Sequence, residues 1–226
     1  MNLWATREKS LIWLRHELAA ESEVIQEGFE FLNKSVGLFD NIGSSDGETP
    51  KGKFCRICAI TLAKSCHLLL GCYSLALDAL AQESGALLRP LIETYELLVY
   101  FRQDMSRVDE VIDGKLPPAG KISRKVSGDY EDLRKYLNDN ASHFSYKIES
   151  IRHLFDSNIK TQSLPTHSRK VFEVNLQLLN AFQVFVVFEA INCLFSAGFN
   201  ANDLADKIEQ WRDKSKKAFS HIVYEA

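Results

Sequence analysis

Apolar positions recur along this chain at steps of three and four, the spacing that lines one face of an α-helix. From Leu11 the pattern runs through Leu14, Leu18, Ile25, Phe29, Leu32 and Val36, with Ser22 at the one missing step. It predicts an unbroken helix over 3–36, about 50 Å long at 1.5 Å per residue, with Gly28 as its weakest interior position. The stretch 37–53 (GLFDNIGSSDGETPKGK) is rich in turn residues and predicts a surface loop. A second stripe, Cys58, Leu62, Cys66, Leu69, Tyr73, Ala76 and Leu80, predicts a helix over 54–80. The pattern weakens at 82–85, where Ser84 can cap a third helix carrying Leu87, Leu88, Leu91, Ile92, Tyr95 and Leu98. A helical hairpin near Gly85 follows, with Pro90 just inside the new helix.

Residues 106–113 suit a short helix, and 114–128 (GKLPPAGKISRKVSG) predicts a second surface loop. Tyr130, Leu133 and Leu137 share a face of a helix over 129–140, whereas 142–166 has little periodicity beyond a turn or two at 148–155. The segment 168–197 is apolar on nearly every side (Val174, Leu178, Phe182, Phe185, Phe188), as a helix at the centre of a bundle must be, and Gly198 closes it. A charged final helix over 202–223 keeps Leu204, Ile208, Trp211 and Phe219 as its buried stripe. No segment alternates with period two, so the chain reads as an all-α bundle of five to seven helices in one domain spanning 1–226.

Composition changes little in that picture. The 226 residues suffice for one full hydrophobic core. A net charge of −3 gives no global field to attract nucleic acid. Local basic groups, Lys115, Lys121, Arg124 and Lys125, then Lys214, Lys216 and Lys217, read as solvated faces. Arg7, Glu8, Lys9, Arg15 and His16 interrupt any signal-like N-terminal run, and Gln177, Asn180, Gln183, Glu189 and Asn192 break the longest apolar stretch. Neither export nor a membrane association is expected. An odd number of cysteines, five, then points to free thiols in a reducing cytoplasm.

Cys55 and Cys58 form a CxxC, with Cys66, His67 and Cys72 downstream, but a helical stripe favours small buried hydrophobes over a zinc or redox site. No metal or cofactor is expected. His16, His153, His167 and His221 stand without carboxylate or cysteine neighbours at ligand spacing and read as surface or loop histidines. The common phosphate-loop, dinucleotide, serine-hydrolase and zinc-protease motifs are absent.

Two places remain. Arg89, Glu93, Glu96 and Tyr100 recur at steps of four, three and four along ALLRPLIETYELLVYF, a polar stripe amid apolar residues. It is either a solvent-facing ion pair worth a few tenths of a kcal/mol or part of a site. The segment LRKYLNDNASHFSY gathers Asn138, Asp139, Asn140, Ser142 and His143, which suits a helix terminus. Were His143 to meet Arg89, an imidazole and a guanidinium would stand ready for phosphodiester chemistry, one moving a proton and the other holding phosphate.

These two segments, ALLRPLIE and LNDNASH, resemble uncharacterised bacterial helical families related to the HEPN superfamily, over roughly 54–146 and the long helix from Ser168. The resemblance implies an all-helical fold and dimers or protein partners. For its ribonuclease members it implies metal-independent RNA cleavage by an Arg placed four to six residues before a His. Here Asn138 stands five before His143, Tyr136 and Leu137 are not arginines, and Arg134 lies too far upstream. The resulting expectation is a non-catalytic binding or scaffold protein, with Glu93, Asn138, Ser142 and Tyr100 as a polar cluster. The alternative is an endoribonuclease of toxin or phage-defence type using His143 and Arg89. A third reading, a partner in a larger assembly, requires Trp4, Trp13 or Trp211 to be exposed.

Overall fold

A computed structural model describes residues 4–128, 130–137, 151–155, 158–161 and 167–222. Among them are nine α-helices: α1 (Ala5–His16), α2 (Ala19–Asp46), α3 (Pro50–Leu77), α4 (Ala81–Gln103), α5 (Val108–Ile112), α6 (Ala119–Lys125), α7 (Glu131–Leu137), α8 (Arg169–Ser196) and α9 (Asn202–Ala218). No strand occurs among the described residues. The fold is the all-α bundle the stripes predict, carried by six helices of twelve residues or more. α3 packs between α2 and α4, α8 lies against all three, and α9 closes over α2 and α8. Apolar residues spaced by seven on α2, with Leu18 just ahead of them, show the logic: Leu18, Ile25, Leu32 and Phe39 are all buried.

Several boundaries differ from the sequence expectation, among them that of the last helix, which ends at Ala218 and not at 223. The first helix is broken at Glu17 and Leu18, where the Trp13 carbonyl accepts from both Glu17 N and Leu18 N at 2.8 Å. The break swings α1 onto the end of α3, where Arg7 clasps Asp78 (2.8 and 2.6 Å) and Ser10 Oγ donates to the Leu77 carbonyl at 2.8 Å. The segment 37–53 is mostly helix, with a linker of only three residues, Gly47 to Thr49, between α2 and α3. Gly43 belongs to this helix because α3 passes so near: a Cβ there would sit 3.0 Å from the Arg56 backbone nitrogen. Gly47 turns the chain at φ +57°, and Thr49 caps α3 by accepting from Gly52 N at 3.0 Å, with Pro50 in the first helical position.

The hairpin turns at Asp78–Leu80, five residues before Gly85. Ala79 takes φ +61° and Leu80 N reaches back to the Leu75 carbonyl at 2.9 Å, a left-handed helix cap formed without glycine. Ser84 does not cap α4; its hydroxyl donates to the Cys72 carbonyl at 3.0 Å and ties the two arms together. Pro90 lies inside α4, which continues through it. Finally, 114–128 contains α6.

Two helices, α3 and α8, are long and apolar enough to cross a membrane, with mean hydropathy of 1.4 and 1.8 over their most apolar windows. Among the described residues they also bury more residues than any other helix, 13 each, and such a position requires apolar side chains on several faces. Where α8 and α9 approach α2, two side chains bond its backbone: Trp211 Nε1 donates to the Val24 carbonyl at 2.8 Å and Gln183 Nε2 to that of Ile25 at 3.2 Å. Gly28 makes room, since a Cβ there would meet the Trp211 ring at 2.7 Å and Gln183 Oε1 at 2.8 Å.

Candidate functional site

The polar stripe of α4 divides into an outer pair and an inner cluster. Arg89 and Glu93 form the outer pair, Nε to Oε1 3.5 Å, with side chains 36% and 30% exposed. This is an i,i+4 ion pair at the surface, and Arg89 Nε has no hydrogen-bond partner there. Neither residue is hydrogen-bonded or ion-paired to Tyr100 or Glu96 among the described residues, although the Glu93 charge adds a little to the rise of the Glu96 pKa.

Glu96 points inward and is the focus of the cluster. Its side chain is 2% exposed, and the Arg134 guanidinium from α7, 13% exposed, meets it with Nη1 2.8 Å from Oε2. Ser123 of α6 donates its hydroxyl to Glu96 Oε1 at 3.1 Å and in turn accepts from Arg134 Nη2. Three separate helices thus share one buried ion pair. Gly128 closes the arrangement, because a Cβ there would collide with the Glu96 carboxylate and lie 3.0 Å from Ser123 Oγ. Burial pushes the Glu96 carboxyl above its usual range, while the Arg134 charge and the Ser123 and Arg134 hydrogen bonds pull it down.

One turn further along α4, Tyr100 is fully buried. Its hydroxyl donates to Glu110 Oε2 of α5 at 2.9 Å and accepts from Lys125 Nζ of α6 at 3.1 Å. Arg107 donates to the Tyr100 carbonyl at 2.9 Å and stacks its guanidinium 4.3 Å from the ring centre. Chemically these contacts dock the short helices α5, α6 and α7 onto α4, with Glu96 paired to Arg134 and with the Glu110 carboxylate and the Lys125 ammonium both hydrogen-bonded to the Tyr100 hydroxyl. Tyr95, Tyr130, Phe182 and Phe185 continue the attachment as an aromatic group with ring centres 5.9–6.2 Å apart.

Asn138, Ser142 and His143 lie outside the described residues, as does Asn140; α7 ends at Leu137 just before them. A meeting of His143 with Arg89 is therefore not among the contacts of the described chain. Sequence reasoning missed Ser123, Gly128 and Glu110 altogether, read Lys125 as part of a solvated face although its Nζ bonds the buried Tyr100 hydroxyl, and named Arg134 only for its spacing to His143. The available signal was Glu96: a carboxylate on an apolar stripe, four residues before a buried tyrosine, needs a cationic partner.

Elsewhere, α4 and α8 are joined by Arg102 and Glu189, whose carboxylate is buried and also accepts from Asn192 Nδ2 at 3.4 Å. Burial raises Glu189, against the opposing Arg102 hydrogen bond. Nearby, the Cys58 thiol is held well above its ordinary value by burial and by its hydrogen bond to Cys193, and Cys55 is pushed up to about 11, also by burial. All five cysteines are free, and no group of three or more His, Cys, Asp or Glu side chains suited to a metal occurs among the described residues.

His167 is not a lone surface histidine. Its Nε2 lies 2.9 Å from Ser10 Oγ and its ring is 4.5 Å from that of Trp13. Because the Ser10 hydroxyl donates to Leu77, Nε2–H of His167 is the donor to Ser10, so the pair is a structural latch and Ser10 is not an activated nucleophile. Burial and then the Lys9 charge lower the His167 pKa. Of the three tryptophans, Trp13 and Trp211 are buried and Trp4 is 73% exposed.

Clefts flank α9 on both sides. Between α2 and α9 two adjoining clefts of about 500 and 590 Å³ share Lys34 and Lys207, with Glu27 and Glu30 beside them. Between α8 and α9 lies a third, of about 580 Å³ and more apolar. No family model, no curated protein and no solved structure matches the chain.

Proposed function

We infer that this is a non-catalytic binding or scaffold protein of the HEPN-like helical kind that its sequence resembles. The observation that carries this reading is the engagement of Arg134, the one arginine of the helix that leads into Asn138 and His143, by Glu96 and Ser123. An arginine serving a phosphate must keep its donors free for it. Here two of those donors are turned inward onto a buried carboxylate and a hydroxyl. Arg89 is held by Glu93 on the same helix, and its surface pairing is of the kind that contributes little beyond local order. A net charge of −3 likewise supplies little long-range attraction for RNA.

A protein of this kind acts by presenting a folded surface or a ligand, as a homodimer or with a protein partner, and five free cysteines suit the reducing cytoplasm. Trp4, just ahead of α1, and Ile12 within it are exposed apolar groups that could meet such a partner. The test is incubation of the purified chain with single-stranded RNA in EDTA. The expected result is intact RNA; cleavage that disappears in His143→Ala overturns the reading in favour of the metal-independent ribonuclease.

A further inference from the structure

The cleft between α8 and α9 differs from the rest of the surface in what lines it. Its walls are Ala181, Val184 and Phe185 of α8 and Phe219 and Ile222 at the end of α9 and beyond. Its volume, about 580 Å³, lies within the range of small-molecule sites. From Gln177 to Phe185 the cleft follows two turns of α8, about 12 Å.

Its polar residues, Gln177, Asn180, Arg212, Ser215, Lys216 and Ser220, contribute little of the exposed wall and are incompletely used. Asn180 and Ser215, 5% and 2% exposed, share one long hydrogen bond, Asn180 Nδ2 to Ser215 Oγ at 3.4 Å. The Ser215 oxygen is the acceptor in that bond, which leaves the hydroxyl proton to be given. Among the described residues five buried side-chain atoms lack a hydrogen-bond partner, and two of them, Gln177 Oε1 and Arg212 Nε, belong to residues that line this cleft. Native proteins leave few buried polar atoms unsatisfied, and each costs stability until it is paired. The terminal torsion of a glutamine is soft, so the Gln177 amide can turn toward an occupant without moving its own helix.

The charges at the rim are already matched. Arg212 Nη1 donates to Glu209 at 3.2 Å, with Asp213 3.5 Å from its Nε, and Lys216 lies 3.9 Å from Asp213. An anionic or cationic head would enter an apolar cleft without a free counter-charge. A neutral head that both accepts, from Ser215, and donates, to Gln177, meets the groups that are short of partners.

We propose that the α8–α9 cleft is a binding site for a neutral amphipathic small molecule, with an apolar body on the order of 12 Å long and a head such as a primary amide or alcohol. The site deepens the binding-protein reading by naming a ligand chemistry. The two stand apart in experiment: RNA cleavage by a chain that also fills this cleft would remove the first and leave the second.

The neutral fluorophore N-phenyl-1-naphthylamine, an apolar body with one N–H, is the probe for the full-length chain. Saturable, blue-shifted emission at one site per chain is expected, with decanamide displacing the probe at least tenfold more effectively than decanoate or decyltrimethylammonium. Ala181→Trp, which fills the cleft, should weaken probe binding at least tenfold with the helical signal retained. In the unaltered protein, decanamide should shift the methyl resonances of Ala181 and Val184 and leave those of Ala59 and Leu69 in place, a readout that does not depend on any variant folding. Non-saturable binding, equal displacement by the charged competitors, or methyl shifts located elsewhere would overturn the proposal.

Discussion

Removing the cation from the buried Glu96–Arg134 pair should cost far more than removing any surface charge. In Arg134→Met the Glu96 carboxylate, 2% exposed, would keep only the Ser123 hydroxyl as a partner. Stranding one member of a buried pair costs about 3–5 kcal/mol. At roughly 2–4 °C per kcal/mol for a chain of this size, the melting temperature should fall by about 6–20 °C. The loss should also depend on pH in a defined direction. The folded-state pKa of Glu96 is already raised by burial, so its contribution to stability is full below the unfolded value and declines as pH rises through the folded one. Arg134 opposes that rise, so its removal moves the folded value higher still. The deficit of Arg134→Met measured by thermal and denaturant melts should therefore be largest at pH 7 and shrink toward pH 5. Glu96→Leu with Arg134→Met should be more stable than Arg134→Met alone, because the stranded charge is gone. A deficit under about 1 kcal/mol at pH 7, or one that does not change with pH, would refute the placement of Arg134 on a buried carboxylate.

Other expectations follow from the same contacts. Gly28→Ala should lose about 1–3 kcal/mol in denaturant melts by forcing the Trp211 ring and Gln183 away from α2. Arg89→Ala and Glu93→Ala should each change stability by less than about 0.5 kcal/mol, the scale of an exposed i,i+4 pair. His167 has a lowered folded pKa because its ring is buried near Lys9, so the contribution of the neutral ring is full above the unfolded value and is lost as pH falls through the folded one. His167→Gln should accordingly flatten the acid limb of the stability profile below about pH 6.5. Cys55 and Cys72, pushed up to about 11 and about 12 mainly by burial, should react with a thiol reagent only as fast as the native chain opens.

The long helices were legible because their stripes persist for many turns: Leu18, Ile25, Leu32 and Phe39 are a repeat that burial confirms. What misled was local composition. Leu38, Phe39 and Ile42 continue the stripe into 37–53, yet Gly43, Ser44 and Ser45 read as loop because the reason for Gly43 is the nearness of the Arg56 backbone, a tertiary fact. The break at Glu17 likewise answers to Arg7 and Asp78, which are 71 residues apart. The site was half legible. Glu96 and Tyr100 were conspicuous as polar groups on an apolar helix, but their partners sit on α5, α6 and α7, two of which follow short, weakly periodic segments. Spacing along one helix proposed Arg89 with Glu93 and Tyr100 together; the helix rotates Tyr100 and Glu96 inward and leaves Arg89 with Glu93 outside.

Whether the chain acts on RNA is decided most directly by following end-labelled single-stranded RNA with the native protein in EDTA, beside His143→Ala and Arg89→Ala. A binding protein whose Arg134 is committed to Glu96 leaves the RNA at full length in all three samples. Cleavage by the native chain that both substitutions abolish would contradict it.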